Sequence, residues 1–312
     1  MTRSPLLITG ATGRIGGALL SALLARGEAC RALVRDPARA RLPAEVEVVA
    51  GALDDAATSA QAVAGVGSVM HLAADTEDGT VTDAALVARL RRANVAGTRA
   101  LAQAAAAAGV ARFLCVSSAA VYGAQAGERI DEDTLPAPDS SYGVSKLLAE
   151  EAALEAGRAG GMAVTVARPV LVACPPSGRR DALGVLLRLA RRGLLPVPRG
   201  AGPCRKAIVS LDEVVQGLLA ARGLDGGILL LSGARTYPLE EIAAAFGRLL
   251  GRRAGLSVPV ALLRAGGALP IDPTRVAKYL ADERFDAARS RALLGLPAEG
   301  PVLEDVLRPC LG

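Results

Sequence analysis

Residues 9–16 read TGATGRIG, and this stretch decides the fold of the chain. Gly10, Gly13 and Gly16 recur every third residue, after an apolar run and before a helical pattern. Glycine permits a tight turn and lets the backbone approach a pyrophosphate, whose charge would meet free N–H groups at the helix N-terminus. An ordinary glycine-rich turn is the alternative. The strand before and the helix after favour a dinucleotide-binding loop.

Outward from this loop, short β-branched or Leu-rich runs alternate with Ala-rich helical patterns. The predicted strands cover residues 6–9, 30–34, 46–50, 68–72, 113–117 and 163–167. The predicted helices cover residues 15–26, 84–108 and 142–156. This alternation predicts an α/β fold of the Rossmann type, a doubly wound parallel sheet with helices on both faces.

The pattern changes after Arg168. Residues 173–180 (ACPPSGRR) and 194–206 (LLPVPRGAGPCRK) are rich in Pro, Gly and Arg, as loops around a ligand often are. Residues 207–233 read as a strand, a helix and a strand that return to the main sheet, and amphipathic helices follow. We therefore predict a dinucleotide-binding domain at 1–168 and 207–233. A smaller, mostly helical substrate-binding subdomain takes 169–206 and 234–312.

Composition narrows the class of protein. No apolar run reaches the roughly 18 residues of a membrane span, and the N-terminus meets glycines too early for a signal peptide, so we expect a soluble cytoplasmic protein. The five cysteines lack CxxC spacing, which favours buried thiols over a metal site or disulfides. The net charge of +5 is spread out and only 2% of residues are aromatic. This favours a small anionic ligand over nucleic acid.

The end of the second strand bears on the choice of dinucleotide. NAD sites commonly place a carboxylate there for the ribose hydroxyls, but this strand ends ALVRDP, with Val34 in the ribose-facing position. Arg35, with Arg14 as a second contact, suits the 2′-phosphate of NADP. Asp36 could turn inward and favour NAD instead. NADP is the preferred prediction and NAD the alternative.

A second motif, YGVSK at 142–146, carries a candidate reaction centre. The chain has lysine only at Lys146, Lys206 and Lys278, so the lysine beside Tyr142 is unusual in an Arg-rich protein. Spacing of four residues places Tyr142 and Lys146 on one helix face. A neighbouring ammonium favours the phenolate, which suits Tyr142 to move a proton to or from an alcohol or carbonyl.

Ser117 and Ser118 end the fifth strand, at the edge where open α/β sheets bind ligands. Ser118 would hold the oxygen of the substrate. For an isolated YxxxK motif, the alternative is a structural one: a Tyr and a Lys on a helix surface, with a Ser that caps the helix.

Together these motifs resemble the extended short-chain dehydrogenase/reductase family, in its NAD(P)-dependent epimerase/dehydratase branch. The resemblance covers nearly the whole chain. Its motifs are TGATGRIG, HLAA at 71–74, NVAGT at 94–98, SSAAVYG at 117–123, YGVSK, and ARP at 167–169.

The resemblance implies an enzyme in which Tyr142 is the acid/base, Lys146 its partner and ribose ligand, and Ser118 the substrate hydrogen-bonder. Asn94 would be a structural residue near the active site. His71, the sole histidine, would pack beneath the cofactor. The predicted cofactor contacts are Gly10, Thr12, Gly13, Arg14, Ile15, Gly16, Arg35, Leu53, Ala73, Ala74, Asn94, Tyr142 and Lys146.

The chain departs from the family pattern in three places. Ala52 stands where the family usually has an Asp that holds the adenine amine, and Asp54 could substitute for it. Leu171 replaces an Asn common in sugar-nucleotide epimerases, and ACP at 173–175 replaces a common YGP. The change at Ala52 affects the predicted binding of the cofactor, and the changes at 171 and 173–175 affect the predicted binding of the family's usual substrate.

The leading substrate prediction is a nucleotide-diphosphate sugar, in a 4-keto reductase or epimerase. Cations available for a diphosphate are Arg179, Arg180, Arg199, Arg205 and Lys206, with Ser118, Arg179 and Arg205 as the predicted substrate contacts. The alternative is an NADPH-dependent reductase of a non-nucleotide ketone, since RALVRDP resembles flavonol-reductase and sterol-dehydrogenase relatives. A non-catalytic NADP-binding regulator is a third hypothesis. The resemblance also implies a homodimer formed through the helices at 84–108 and 142–156.

Overall fold

A computed structural model describes residues 4–76, 83–124, 129–176, 182–200, 202–264 and 273–312. The chain forms two compact units. The first comprises Met1–Gly123, Leu135–Pro169 and Val214–Leu230, and the second the remaining segments. The predicted division differs mainly at 124–134 and 207–213, which belong to the second unit.

The strands are short, as is usual in such folds. They are β1 (Leu6–Thr9), β2 (Cys30–Val34), β3 (Glu47–Ala50), β4 (Ser68–His71), β5 (Arg112–Val116), β6 (Arg129–Ile130), β7 (Ala163–Pro169), β8 (Leu171–Ala173), β9 (Leu195–Arg199), β10 (Arg205–Ser210), β11 (Gly227–Leu231), β12 (Thr236–Pro238), β13 (Gly255–Pro259) and β14 (Arg284–Phe285).

The helices are α1 (Arg14–Leu24), α2 (Ala56–Val63), α3 (Ala84–Leu90), α4 (Gly97–Ala107), α5 (Ser141–Gly160), α6 (Ala182–Arg191), α7 (Leu211–Ala221), α8 (Leu239–Leu250), α9 (Val260–Arg264), α10 (Pro273–Leu280), α11 (Ala288–Leu293) and α12 (Leu303–Leu307). A π-helical segment, Arg91–Ala96, joins α3 to α4. Short 3-10 helices lie at Ala119–Tyr122 and Arg308–Leu311. Among the described helices, none is long and apolar enough to cross a membrane.

The first unit is built on a seven-stranded sheet of order β11-β7-β5-β4-β1-β2-β3. The pairs from β3 to β7 are all parallel. One face packs on α2, α4 and α5 through a core that includes Leu7, Phe113, Leu101 and Ala153. The predicted Rossmann-type doubly wound sheet is therefore confirmed.

The carboxyl ends of β1, β4 and β5 lie at the same edge of this sheet, and β1 sits between β2 and β4. The order of the strands reverses at β1, where the chain continues into α1. Open α/β folds bind their ligands at such a point of reversal, beyond the carboxyl ends of the strands. The glycine loop, residues 72–76 and Ser117 all follow these three strands. The fold thus brings the sequence motifs to one edge.

The second unit contains small sheets that the sequence did not predict. One has the order β12-β10-β8, and the pairs β9–β13 and β6–β14 are separate. The expectation that residues 207–210 extend the main sheet is wrong, because β10 pairs with β8 and β12 instead. A short apolar strand carries no periodic signal for the sheet it will join. Only β11 of that segment reaches the main sheet.

A buried ion pair fastens α5 to β7 in the first unit. Arg168 donates to both carboxylate oxygens of Glu150, at 3.0 and 2.6 Å, and to the hydroxyl of Tyr122 at 2.9 Å. The Arg168 guanidinium also lies over the Tyr122 ring, 4.9 Å from its centroid. Both charged side chains are buried, so each depends on the other for compensation.

Replacing Glu150 by Gln should destabilise the protein by about 3 kcal/mol or more, because the Arg168 cation would remain buried without its counter-charge. Chemical denaturation would measure the loss. Glu155 provides a matched control on the same helix, since its ion pair with Arg99 is exposed. Glu155→Gln should cost about 1 kcal/mol or less. Equal losses for the two variants would contradict this account.

Candidate active site

The glycine loop follows β1 and enters α1 through contacts that exclude side chains. Gly10 has a φ of +73°, and a Cβ on it would lie 2.7 Å from the backbone nitrogen of Ala73. A Cβ on Gly16 would lie 2.1 Å from the carbonyl oxygen of Gly10. Glycine at these two positions is therefore required for the turn and for the close approach of helix to strand.

The N-terminus of α1 is suited to an anion. Gly13 is the N-cap and provides no side-chain cap, and the first turn contains no acidic residue. The first N–H groups of a helix have no partner within it, and Thr12, Gly13 and Arg14 are exposed beside them. This donor set and the glycine cradle fit the pyrophosphate of a dinucleotide. Ile15 is half-buried behind them.

The end of β2 presents a cation rather than a carboxylate. Val34 is buried and Arg35 is exposed. Asp36 accepts a hydrogen bond from the backbone N–H of Ala38 at 3.1 Å and lies 3.3 Å from the Arg39 guanidinium. The carboxylate of Asp36 thus stabilises the local turn at residues 36–39.

The segment after β3 contains Asp54, the suggested replacement for the Asp that is missing from the family pattern. Asp54 pairs with Arg92 at 2.6 Å, and this hydrogen bond lowers the pKa of Asp54. Leu53 is half-buried, and its side chain lies against Gly97. Ala52 leaves the family position for the adenine amine without a carboxylate.

His71 joins three elements beneath the glycine loop. Its Nδ1 lies 2.7 Å from the Thr9 hydroxyl and its Nε2 2.8 Å from the Thr98 hydroxyl. Thr9 also accepts the N–H of Ala73 at 3.1 Å. Burial, and secondarily the charge of Lys146, lowers the pKa of His71 to about 3. The imidazole is therefore neutral and connects β1, β4 and α4, as the structural role predicted.

Lys146 is buried with its ammonium on the end of β5. Its Nζ donates to the carbonyl oxygen of Val116 at 2.8 Å, and the residue is 2% exposed. Burial lowers the pKa of Lys146, which Cys115 and Glu150 partly oppose. Tyr142 lies one helical turn earlier and is half-exposed. The helix thus places a partly exposed tyrosine one turn before a buried ammonium.

Gly143 allows the Tyr142 turn to reach the segment that follows Ser118. A Cβ on Gly143 would come within 2.5 Å of the carbonyl oxygen of Ala120. Ser118 is the N-cap of the 3-10 helix at Ala119–Tyr122 and accepts the N–H of Ala120 at 3.2 Å. The predicted Ser118, Tyr142 and Lys146 therefore lie on elements in direct contact. Sequence reasoning missed Gly143, although it stands inside the quoted YGVSK motif.

Asn94 lies in the π-helical segment, a type of distortion that is frequent at functional sites. Its amide accepts the N–H of Asp75 at 2.7 Å and donates to the carbonyl oxygen of Asp75 at 3.0 Å and to the Ser145 hydroxyl at 2.9 Å. Ser145 in turn donates to the Tyr142 carbonyl at 2.8 Å. These contacts occupy the Asn94 side chain. They support the predicted structural role of Asn94, and its contact with the cofactor stays a prediction.

Two of the cations predicted to bind a diphosphate, Arg205 and Lys206, form ion pairs within the second unit. Arg205 pairs with Asp282 at 3.0 Å, and Asp282 also accepts the N–H of Arg205. Lys206 is buried and donates to Glu283 at 3.0 Å and to two backbone carbonyls. Arg199 is exposed. Arg179 and Arg180 lie outside the described residues.

Comparison with known proteins identifies the family. The model of the NAD dependent epimerase/dehydratase family matches residues 6–222. A 3-diazoavenalumate denitrifying reductase from a Streptomyces species is 33% identical, over 82% of this chain and 84% of its own. Sterol demethylase protein B of Methylococcus capsulatus is 30% identical, over 93% and 92%. The solved structure of MoeE5 with UDP-glucuronic acid and NAD superposes with a TM-score of 0.75 at 25% identity, covering 98% of this chain and 97% of MoeE5.

The chain belongs to the NAD-dependent epimerase/dehydratase family of extended short-chain dehydrogenases/reductases. It is an NAD(P)-dependent enzyme. In such enzymes the nicotinamide supplies or accepts the hydride, and the protein provides binding, orientation and proton transfer.

The neutral His71 predicts a specific dependence of stability on pH. The unfolded chain binds a proton at this histidine below about pH 6.5, whereas the folded protein does so only near pH 3. The free energy of unfolding should therefore fall by about 1.4 kcal/mol for each pH unit below pH 6.5. Because the chain has one histidine, His71→Asn should remove that part of the slope. Denaturation at several pH values would measure it, and parallel slopes would contradict the assignment.

Proposed function

We propose that this protein is an NADPH-dependent reductase of a ketone on a substrate that carries no nucleotide. The observation that carries the proposal is the internal pairing of Arg205 with Asp282 and of Lys206 with Glu283. A diphosphate needs cations whose charge is available, and these two are already compensated. The names of the two relatives above, a 3-diazoavenalumate denitrifying reductase and a sterol demethylase protein, support a substrate without a nucleotide.

The proposed proton transfer uses residues of the first unit. Tyr142 gives its phenolic proton to the substrate oxygen as the carbonyl carbon is reduced, and Ser118 orients that oxygen by a hydrogen bond. The buried ammonium of Lys146, one turn from Tyr142, stabilises the phenolate that forms. Its bond to the Val116 carbonyl holds the ammonium in place without neutralising its charge.

Tyr142→Phe should reduce kcat by about 100-fold or more, because the general acid is lost while the ring remains. NADPH affinity should change little, which fluorescence titration would measure beside steady-state turnover. Tyr237→Phe is a matched control in the second unit and should keep near-wild-type turnover. Undiminished turnover by Tyr142→Phe would exclude this mechanism.

A preference for NADP(H) follows from the end of β2. Arg35 is exposed in the position that follows Val34, and Asp36 is held by Ala38 and Arg39. An exposed guanidinium suits a 2′-phosphate, whereas a ribose diol is best held by an available carboxylate. This supports NADPH as the reductant that exchanges in each cycle.

Arg35→Ser should weaken NADPH binding by about tenfold or more, since a charge-assisted hydrogen bond contributes about 1.5–3 kcal/mol. NADH affinity should stay within about twofold. Arg26→Ser makes the same charge change near the far end of α1 and serves as the control. Equal NADPH affinity in Arg35→Ser and wild type would overturn the NADP preference.

A nucleotide-diphosphate sugar is the second candidate, as the reductase or epimerase substrate first predicted. The MoeE5 complex with UDP-glucuronic acid and NAD, similar in fold over nearly the whole chain, supports it. Measurements of ketone reduction, UDP binding and retained NAD distinguish the two candidate functions. Reduction of a hydrophobic ketone by NADPH that UDP does not inhibit supports the first. Tight UDP binding, or NAD that remains bound through purification, supports the second.

The homodimer and the cytoplasmic location stay predictions. A groove of about 290 Å³ lies along α4 and α5 and is lined mostly by alanines, with Gln103, Glu155 and Gly160. Small side chains let a helix approach closely, so this surface suits the proposed dimer contact.

A further inference from the structure

Ser117 carries a buried hydroxyl that has no protein partner. The residue is 4% exposed, and its Oγ makes no hydrogen bond among the described residues. Its backbone N–H is satisfied by the carbonyl oxygen of Ala167 at 2.7 Å. A buried polar group without a partner costs free energy, so a native structure that keeps one calls for an explanation.

The position of Ser117 in the sheet shows which way its side chain projects. The bond to Ala167 continues the β5–β7 ladder one residue beyond Val116. Because side chains alternate along a strand, Ser117 faces the same side as Phe113 and Cys115. Those two residues pack into the core shared with α4 and α5. The Ser117 hydroxyl thus lies on the α5 side of the sheet.

The same level of α5 carries the reaction centre. Lys146, Ala149 and Ala153 follow at spacings that share one helix face, and Ala153 packs into the sheet core. Lys146 binds the carbonyl of Val116, the residue directly before Ser117. The unpartnered hydroxyl therefore belongs to the residue next to the carbonyl that holds the ammonium, at the carboxyl edge of β5.

We propose that Ser117 is a further cofactor-binding residue, whose hydroxyl makes a hydrogen bond to the nicotinamide riboside half of the bound dinucleotide. This rests on the proposed use of NADPH, and it gives Ser117 a role distinct from that of Ser118 on the substrate. The buried hydroxyl has no partner among the described residues of the protein, and the bound cofactor would supply one.

The test compares two ligands on the cofactor-free protein. Ser117→Ala should weaken NADPH about five- to tenfold, the loss of one hydrogen bond in a buried site. It should leave the affinity for 2′,5′-ADP unchanged, because that ligand contains only the adenosine half. Fluorescence and calorimetric titration measure both. If the wild-type protein binds NADH more tightly than NADPH, the same test uses NADH in place of NADPH and ADP in place of 2′,5′-ADP.

Thermal unfolding of the cofactor-free protein gives a second readout. Ser117→Ala removes an unsatisfied group, so its Tm should equal or exceed that of wild type. A structural hydroxyl would instead lower the Tm. Ser117→Cys keeps the volume with a poor hydrogen-bonding group and should weaken NADPH in the same way.

Ser232 supplies the matched control. Its Oγ is also buried without a partner among the described residues, but it belongs to the second unit. Ser232→Ala should leave NADPH affinity unchanged. Unchanged NADPH affinity in Ser117→Ala, equal weakening of both ligands, a lowered Tm, or the same loss in Ser232→Ala would each overturn the proposal. Failure of wild type to bind either dinucleotide would instead overturn the proposed function.

Discussion

The close approach of Gly10 to Ala73 is the constraint on which the first unit depends. Two parallel strands end there side by side, and no side chain fits between the chain leaving β1 and the chain leaving β4. Hydrogen bonds stabilise this close approach. Thr9 bonds to His71 and to the N–H of Ala73, and His71 bonds in turn to Thr98 on α4. The arrangement fixes where α1 begins, and so where its free N–H groups point.

Backbone contacts also position the candidate reaction centre formed by Ser118, Tyr142 and Lys146. The Lys146 ammonium is fixed to a strand carbonyl, and Gly143 brings the first turn of α5 against the segment after Ser118. Asn94 and Ser145 add a second connection, from the chain after β4 to the Tyr142 turn. Rigid elements thus support the groups that must act on one oxygen, which favours precise positioning.

The fold of the first unit was predictable because its signals are local. The apolar runs of β1 and β2 are bounded by glycines and polar residues, and TGATGRIG combines strand, turn and helix in one stretch. The Tyr142 and Lys146 pair was likewise visible, since helical spacing alone puts both on one face. In contrast, the partners of Asn94, Arg205 and Lys206 depend on residues far away in sequence, such as Asp75, Asp282 and Glu283. No local pattern predicts such pairings. For the same reason β10 was assigned to the wrong sheet.

The sheet order has a consequence for synthesis of the chain on the ribosome. Strand β7 is paired with β5 on one side, but its other neighbour, β11, comes from residues 227–231. Until that segment emerges, β7 remains an edge with unsatisfied backbone groups, for several seconds at about 5–20 residues per second. Its apolar sequence AVTVARP makes such an edge prone to pairing with other chains. The late return of the chain to its first unit therefore creates a risk of aggregation in the nascent protein, before β11 closes the sheet.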